Sequence, residues 1–485
     1  MILLTEIISA IILINGLFAV ITVLRQPRDI AATWAWLLVL ILLPVVGFIL
    51  YLFTGRGLSR KKIFQSQSQI NDGVLALVDI QRQENRRNEL LPKKVLSSEA
   101  TEMVNLFLNI NNAPVLKDNH VTLYTDGTEK FAALFADIKK ATKSIHIEYY
   151  TIYNDQIGNE LQALLVQKAQ EGVAVNVLYD AWGSQGATQK WWRPLEEAGG
   201  HARTFFSSKH SITDFRLNFR DHRKIVVLDG TIGYIGGFNV GDQYLGRSAK
   251  FGNWRDTHMR ITGNAVLALQ VRFLMDWNAS VEEAIRLTYS ESHFPIAAEA
   301  NRGTAAMQIV SSGPDKLDEQ IKLGYLKMIS SAKKKLWIQT PYLVPDDSII
   351  DALTTAAMSG VDVRIMTPSM PDHPFIYRAT QYYSQLLHEA GVKIYAYQDG
   401  FLHAKTVVMD GHISTIGSAN MDIRSFKLNF EANAFIYDPK LARQLEQIYL
   451  EDIKNAVLLT DEMIAQQYAW LRFKQKFSRL LSPIL

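Results

Sequence analysis

Two stretches of this chain place the same reactive side chains at the same offsets. Residues 222–239 read HRKIVVLDGTIGYIGGFN, and residues 403–420 read HAKTVVMDGHISTIGSAN. Each opens on His-x-Lys (His222 and Lys224; His403 and Lys405), reaches an Asp-Gly pair (Asp229, Asp410) and closes on Asn (Asn239, Asn420). The run after each histidine is apolar and strand-like. On a strand, residues two apart share a face, so imidazole and ammonium project together. The aspartates lie an odd number of residues from their histidines and directly before a glycine. That puts them at a turn, off the histidine face, where they are expected to brace the motif. One such copy reads as an edge strand with a surface His and Lys. Two copies packed about a pseudo-twofold axis bring both imidazoles and both ammonium groups into one cleft suited to a phosphodiester. Lysine supplies charge to the non-bridging oxygens in the transition state. One imidazole can attack phosphorus while the other protonates the leaving alkoxide, since imidazole titrates near neutrality. No metal site is expected: cysteine, an HExxH motif and a carboxylate cluster are all missing from the sequence.

The segments that must position these motifs also come in pairs. Residues 144–153, SIHIEYYTIY, are strand-like, and NELQALLVQKAQEGVAVNVLYD then predicts a helix ended by Gly172 and a second strand. In the second half KLWIQTPYLV (335–344) is strand-like, and DALTTAAMSGVDVRIMTP predicts a helix ended by Gly360 and a strand. EEAGGHARTFF from residue 196 is echoed by HEAGVKIYAYQ from residue 388. Ordered echoes of this kind imply a tandem duplication, with α/β architecture and a mixed sheet flanked by helices in each half. The expected domains are 118–300 and 301–485, with the boundary near residues 299–304. The first half carries an extra loop, residues 207–221, just before its histidine. His258 is read as a satisfied structural histidine. Gln339 stands where Glu148 does, which argues against a shared catalytic role for that position. Trp191 and Trp192 are open to two readings, a lipid interface or buried packing.

A chain of 485 residues is long enough for two cores, and its net charge of +3 carries no indication of nucleic acid. With no cysteine, disulfides are excluded. Residues 7–24 are uncharged and mostly apolar; the polar break RQPRD follows, and residues 31–53 then run without a charge. About 20 residues cross the ~30 Å hydrocarbon core, so each run is long enough to span. A cleaved signal peptide fits poorly: the basic start is missing, Glu6 sits in its place, and a second apolar run follows at once. The expectation is a transmembrane helical hairpin over residues 1–55, kinked at Pro44, with Trp34, Trp36 and Tyr51 near the interfaces. Arg25 and Arg28, offset by Asp29, are outweighed by Arg56, Arg60, Lys61 and Lys62, which places the soluble bulk on the cytoplasmic side. Residues 56–117 read as a juxtamembrane connector; its stretch DGVLALVDIQRQ (72–83) lies either on the headgroups or on the domain.

His-x-Lys, four residues, Asp, six residues, then Gly-Gly-Phe-Asn or Gly-Ser-Ala-Asn is the signature of the phospholipase D superfamily. With two apolar runs, two motifs and the ending RLLSPIL, the chain resembles the bacterial cardiolipin synthases along essentially its full length. The resemblance implies two tandem phospholipase D-like domains behind a multi-pass anchor in the bacterial plasma membrane. It implies phosphatidyl transfer without metal or cofactor, through a phosphohistidine, from one phosphatidylglycerol to another, giving cardiolipin and glycerol. His222, Lys224, Asp229, His403, Lys405 and Asp410 form the catalytic signature, with His222 as nucleophile and His403 as acid and then base. Asn239 and Asn420 match residues that contact phosphate, and Ser418 matches the usual motif serine, although Gly237 replaces it in the first copy. Glu431 and Asp256 fit the carboxylates that orient the histidines. The partners implied are membrane phospholipids and the bilayer, with no nucleic acid. A hydrolase would use the same residues and differ only in the acceptor; a nuclease would need a basic groove with stacking aromatics; a scaffold would tolerate decay of motifs that are intact here.

Overall fold

The computed structural model describes residues 14, 16, 21, 30–43, 46–47, 72–206, 219–290, 293–295, 303–316 and 318–482. Most of the first apolar run, the link 25–29, the basic stretch 56–62 and residues 207–218 of the extra loop lie outside the described residues. The second apolar run begins as a helix, Ile30–Leu42. Among the described residues no helix is long and apolar enough to cross a membrane.

Among the described residues both halves contribute to one mixed sheet of 16 strands. In the first half His201–Thr204, Ala174–Tyr179 and Ser144–Tyr149 run parallel. Lys224–Leu228, Ile232–Gly236, His258–Thr262 and Leu116–Tyr124 continue the sheet antiparallel. The second half repeats that order with Lys393–Tyr397, Asp362–Pro368 and Lys335–Gln339, then Thr406–Met409, Ile413–Gly417, Asn429–Tyr437 and Ala305–Ser312. The halves meet where Leu116 pairs with Met307. Strand order is the same over seven strands outward from that joint in each direction, with Ala456–Leu458 added at the second half's edge, so the duplication is a pseudo-twofold.

Parallel neighbours need crossovers, and the predicted helices supply them. Gln156–Gln170 is capped by Asp155, which accepts from the Gly158 N–H, and Asp347–Met358 by Asp346, which accepts from the Ile349 N–H. Both helices stop where glycine takes a positive φ, +88° at Gly172 and +93° at Gly360.

The central strands are buried on both faces, hence their near-continuous apolar runs. Ile225, Val227 and Met259 share one core with Val408, Ile416 and Ala434, beneath the helices Ala265–Ser280 and Pro439–Ile453. Trp192 is buried in the first half's outer core, while the half-buried Trp191 donates its indole N–H to Asn159. The stretch 72–83 lies on the protein. Val78, Val104 and Phe107 join the second half's core, and Gln81 exchanges two hydrogen bonds with the Val115 backbone.

Candidate active site

Each motif is a hairpin whose turn is Asp-Gly. Asp229 and Asp410 both have φ of +52°, followed by +67° at Gly230 and +69° at Gly411. Three residues join the paired strand ends, and the Thr231 and His412 N–H groups close the turn onto the Leu228 and Met409 carbonyls. A turn of this hand requires positive φ at both central positions, which Asp tolerates and Gly favours. Asp229 accepts from the backbone N–H groups of Thr142, Lys143 and Ser144 at 2.8–2.9 Å. Asp410 does the same for Lys333, Lys334 and Lys335, each at 2.8 Å. The aspartates therefore pin each hairpin to the start of the adjacent strand and stay out of the cleft. Hydrogen bonds to a charged group contribute ~1.5–3 kcal/mol each, and alanine is strained at this φ. Most of the freed N–H groups are open to water, which offsets much of that sum, so Asp229→Ala or Asp410→Ala is expected to cost about 2–3 kcal/mol of stability in unfolding experiments, with kcat per folded molecule lowered less than about tenfold.

The histidines lie just before the motif strands, where the two halves cross. Arg220–Asp221 pairs parallel with the start of Asn429–Tyr437, and Phe401–Leu402 pairs parallel with Trp254–Arg255. These crossings continue through the histidines: the His222 N–H donates to the Phe430 carbonyl and the His403 N–H to that of Arg255. The residue after each of those carbonyls is a carboxylate. His222 Nδ1 lies 2.9 Å from both Glu431 oxygens, and His403 Nδ1 lies 2.6 Å from Asp256 Oδ2. Each histidine is thus held by the carboxylate of the opposite half, an exchange that spacing along the chain does not reveal. Nδ1 is occupied in both, which leaves Nε2 as the reactive nitrogen of two imidazoles that line the same cleft of about 450 Å³.

Lys224 and Lys405 fold back to donate to the carbonyls of His222 and His403, at 2.6 and 2.5 Å. Burial pulls the Lys224 ammonium down to about 7 and that of Lys405 to about 8, despite the nearby Glu431 and Asp256. Burial, reinforced by the Lys224 and Lys405 charges, holds His222 well below its usual value. His403 falls to about 4 by burial and by Lys405, with Asp256 opposing. The two carboxylates diverge. Burial lifts Glu431 to about 7, whereas at Asp256 the same burial is overcome by His403 and Lys405, and its carboxyl sits below the usual range. The site thus holds neutral imidazoles under a positive field that a bound anion relieves. Because the lysines lose their protons above about 7 and 8, kcat/KM for an anionic phosphodiester is expected to fall between pH 7 and 9. The limb for kcat should lie higher, since bound anion favours the ammonium form; pH–rate profiles read both.

Asn239 and Asn420, the last residues of the two motifs, both line the cleft. Asn239 Oδ1 accepts from the Thr151 N–H, and its amide donates to the Tyr244 hydroxyl. Ser418 does not face the cleft. Its hydroxyl donates to Glu431 Oε2 at 2.5 Å, behind the carboxylate. The missing serine at Gly237 has a steric cause: a Cβ there would sit 1.9 Å from Asp256 Oδ1. Aspartate is one methylene shorter than glutamate, so its carboxylate lies against the backbone where the second half has room for a hydroxyl. Asp256 takes the Thr257 N–H instead, at 2.7 Å.

Several groups at the site carry no sequence signal. Arg223, between His222 and Lys224, turns away from the cleft and bonds Asp276 at 3.0 Å. Arg255, beside Asp256, grips Asp452 through two nitrogens at 2.8–3.1 Å. Each buried pair ties a cleft strand to the helix behind it. Gln339 donates to Asp452, while Glu148 lies 3.8 Å from Arg223, so the two repeat positions serve the same architecture with different chemistry. Arg220 and Arg424 add cationic lining, beside Tyr150, Trp182 and Trp254. Adjacency to Asp221–His222 is the only sequence hint for Arg220. His258 is buried, but neither ring nitrogen has a hydrogen-bond partner among the described residues, so the expected satisfied histidine is not seen.

The family described as cardiolipin synthase, PLD-like domain, matches residues 134–253 and 325–453, and the phospholipase D-nuclease N-terminal family matches residues 16–56. The chain is 48% identical over 483 residues to a cardiolipin synthase of Listeria innocua, covering all of both chains. It is 47% identical to one from Staphylococcus aureus, covering all of this chain and 97% of that one. Its fold is similar to the crystal structure of a phosphatidylserine synthase from Haemophilus influenzae, with a TM-score of 0.59 at 16% identity, over 79% of this chain and all of that one.

Proposed function

The chain belongs to the cardiolipin synthase family of phospholipase D-like proteins, and on that premise we propose that it joins two phosphatidylglycerol molecules into cardiolipin and glycerol. The observation that carries the reading is the pair of cleft-lining histidines, each held at Nδ1 by the opposite half's carboxylate, in a chain matched end to end by cardiolipin synthases. In the first step His222 Nε2 attacks phosphorus, the bond to the departing glycerol breaks, and His403 gives that oxygen its proton. In the second, the terminal hydroxyl of another phosphatidylglycerol returns a proton to His403 and attacks phosphorus, and the P–N bond breaks. One phosphodiester replaces another, so the transfer is reversible and needs no nucleotide. Lys224 and Lys405 balance the non-bridging oxygens, with Asn239 and Asn420 as further contacts. Asp256, whose carboxyl stays below the usual range against His403 Nδ1, favours an imidazolium at His403, which supports this division of roles.

The apolar runs within residues 1–55 then serve as a helical hairpin that anchors two domains, 118–300 and 301–485, at the cytoplasmic face of the plasma membrane. Purified protein given phosphatidylglycerol alone in detergent, with chelator present, is expected to yield cardiolipin and free glycerol in equal amounts. Phosphatidic acid in place of cardiolipin would overturn the synthase reading in favour of a hydrolase.

A further inference from the structure

The C-terminal helix, Ala469–Leu480, is packed with its polar side inward. Gln475 and Ser478 are buried, while Trp470, Phe473, Phe477 and Leu480 are 59%, 54%, 46% and 74% exposed. These four share one helical face by their spacing. Their rings form a column, with centroids 5.1 Å apart between Trp470 and Phe473 and 6.3 Å between Phe473 and Phe477. The helix contains Arg472, Lys474, Lys476 and Arg479 and no acidic residue, and Lys474 lies over the Trp470 ring. Its inward side is secured by contacts to the helix Pro374–Glu389: Gln475 to Gln381, Arg479 over Tyr382 and, just past the helix end, Ser482 to Tyr383.

We propose that this face is a second membrane contact, inserting its aromatic column among the headgroups of a bilayer rich in anionic phospholipid. An amphipathic helix with Trp, Phe and Leu on one side and Lys and Arg flanking them lies in the interface plane. The cationic flanks favour anionic lipid and oppose a second copy of this chain, whose basic flanks would meet their own kind. The helix beneath connects the contact to the chemistry. Its N-cap His373 and first-turn Ile376 line the cleft, Phe375 is 52% exposed, and its 16 residues span about 24 Å. Docking of the C-terminal helix therefore fixes the cleft near the headgroup layer, from the end of the chain opposite the apolar N-terminal runs. The proposal deepens the synthase reading, since it rests on the substrate being an anionic membrane lipid.

The chain has no cysteine, so Phe473→Cys carries a single nitrobenzoxadiazole label in the full-length protein. In vesicles of phosphatidylglycerol and phosphatidylcholine the label should emit as in an apolar medium and be quenched by brominated lipid. A label on Met358→Cys, at an exposed position elsewhere, should do neither. Water-like, unquenched emission at 473 would overturn the proposal, as would energy transfer between labelled copies in place of lipid quenching. A Trp470→Ser, Phe473→Ser, Phe477→Ser variant should keep its rate on phosphatidylglycerol in detergent but lose about tenfold or more in kcat/KM on vesicles, as expected when interfacial burial is removed. Equal rates of variant and wild type on vesicles would also overturn it. If the wild type makes no cardiolipin in detergent, the synthase reading fails, while the quenching result still decides the membrane contact.

Discussion

A His222→Ala variant is expected to make no cardiolipin and to release no leaving group from any phosphodiester, because the atom proposed to bond to phosphorus is gone. His403→Ala should differ. With phosphatidylglycerol, the departing glycerol oxygen needs a proton, and general acid catalysis of this kind is worth ~10²–10⁴ in rate. With a p-nitrophenyl phosphodiester the leaving group is stable as its anion, so the first step needs no acid. The variant should then release nitrophenol in a burst close to wild type, within about tenfold, and stall as the phosphohistidine, because no base activates the acceptor. Membrane insertion should be unchanged in both. If the rescue appears in His222→Ala instead, the roles are reversed; full activity in either variant would refute a shared site.

The second large effect concerns the carboxylates. Glu431→Gln should behave as a lesion of His222, and Asp256→Asn as a lesion of His403, since those are the contacts at 2.9 and 2.6 Å. An amide keeps the shape but can present its N–H to Nδ1, which selects the wrong tautomer. In a serine protease triad the analogous change lowers kcat by ~10⁴, and a similar scale, ~10²–10⁴, is expected here. The p-nitrophenyl substrate separates the pair: Asp256→Asn should be rescued in the first step and Glu431→Gln should not. Asp256→Asn added to His403→Ala should cost little more, because the carboxylate acts through the ring that is already lost. Additive losses would mean that Asp256 has a role of its own, and rescue of Glu431→Gln would place each carboxylate with the histidine of its own half.

Much of this was written locally. His-x-Lys followed by an Asp-Gly turn is a pattern of neighbours, and neighbours on a strand and at a hairpin have fixed geometry. Gly172 and Gly360 end helices by the conformation they alone take easily, so the repeat could be read from turn chemistry. The bracing role of Asp229 and Asp410 followed from parity along the strand. Amphipathicity of the C-terminal helix is likewise visible in its spelling, AWLRFKQKFSRL.

Tertiary structure decided what depends on contacts between distant residues. That Glu431 serves His222 and Asp256 serves His403 follows from two short parallel crossings between the halves, formed by residues with no local mark of their partners. The absent serine at Gly237 looked like a lost donor and is a space already filled by Asp256. Arg223 and Arg255 became anchors because Asp276 and Asp452 arrive on helices folded back from elsewhere. For the C-terminal helix the sequence supplied two faces, and only packing against Pro374–Glu389 chose the polar one to bury. Periodicity and turn chemistry are properties of adjacent residues and survive in the sequence; which surfaces meet is set by the sum of many weak non-local contacts, and that sum is evaluated only in the folded chain.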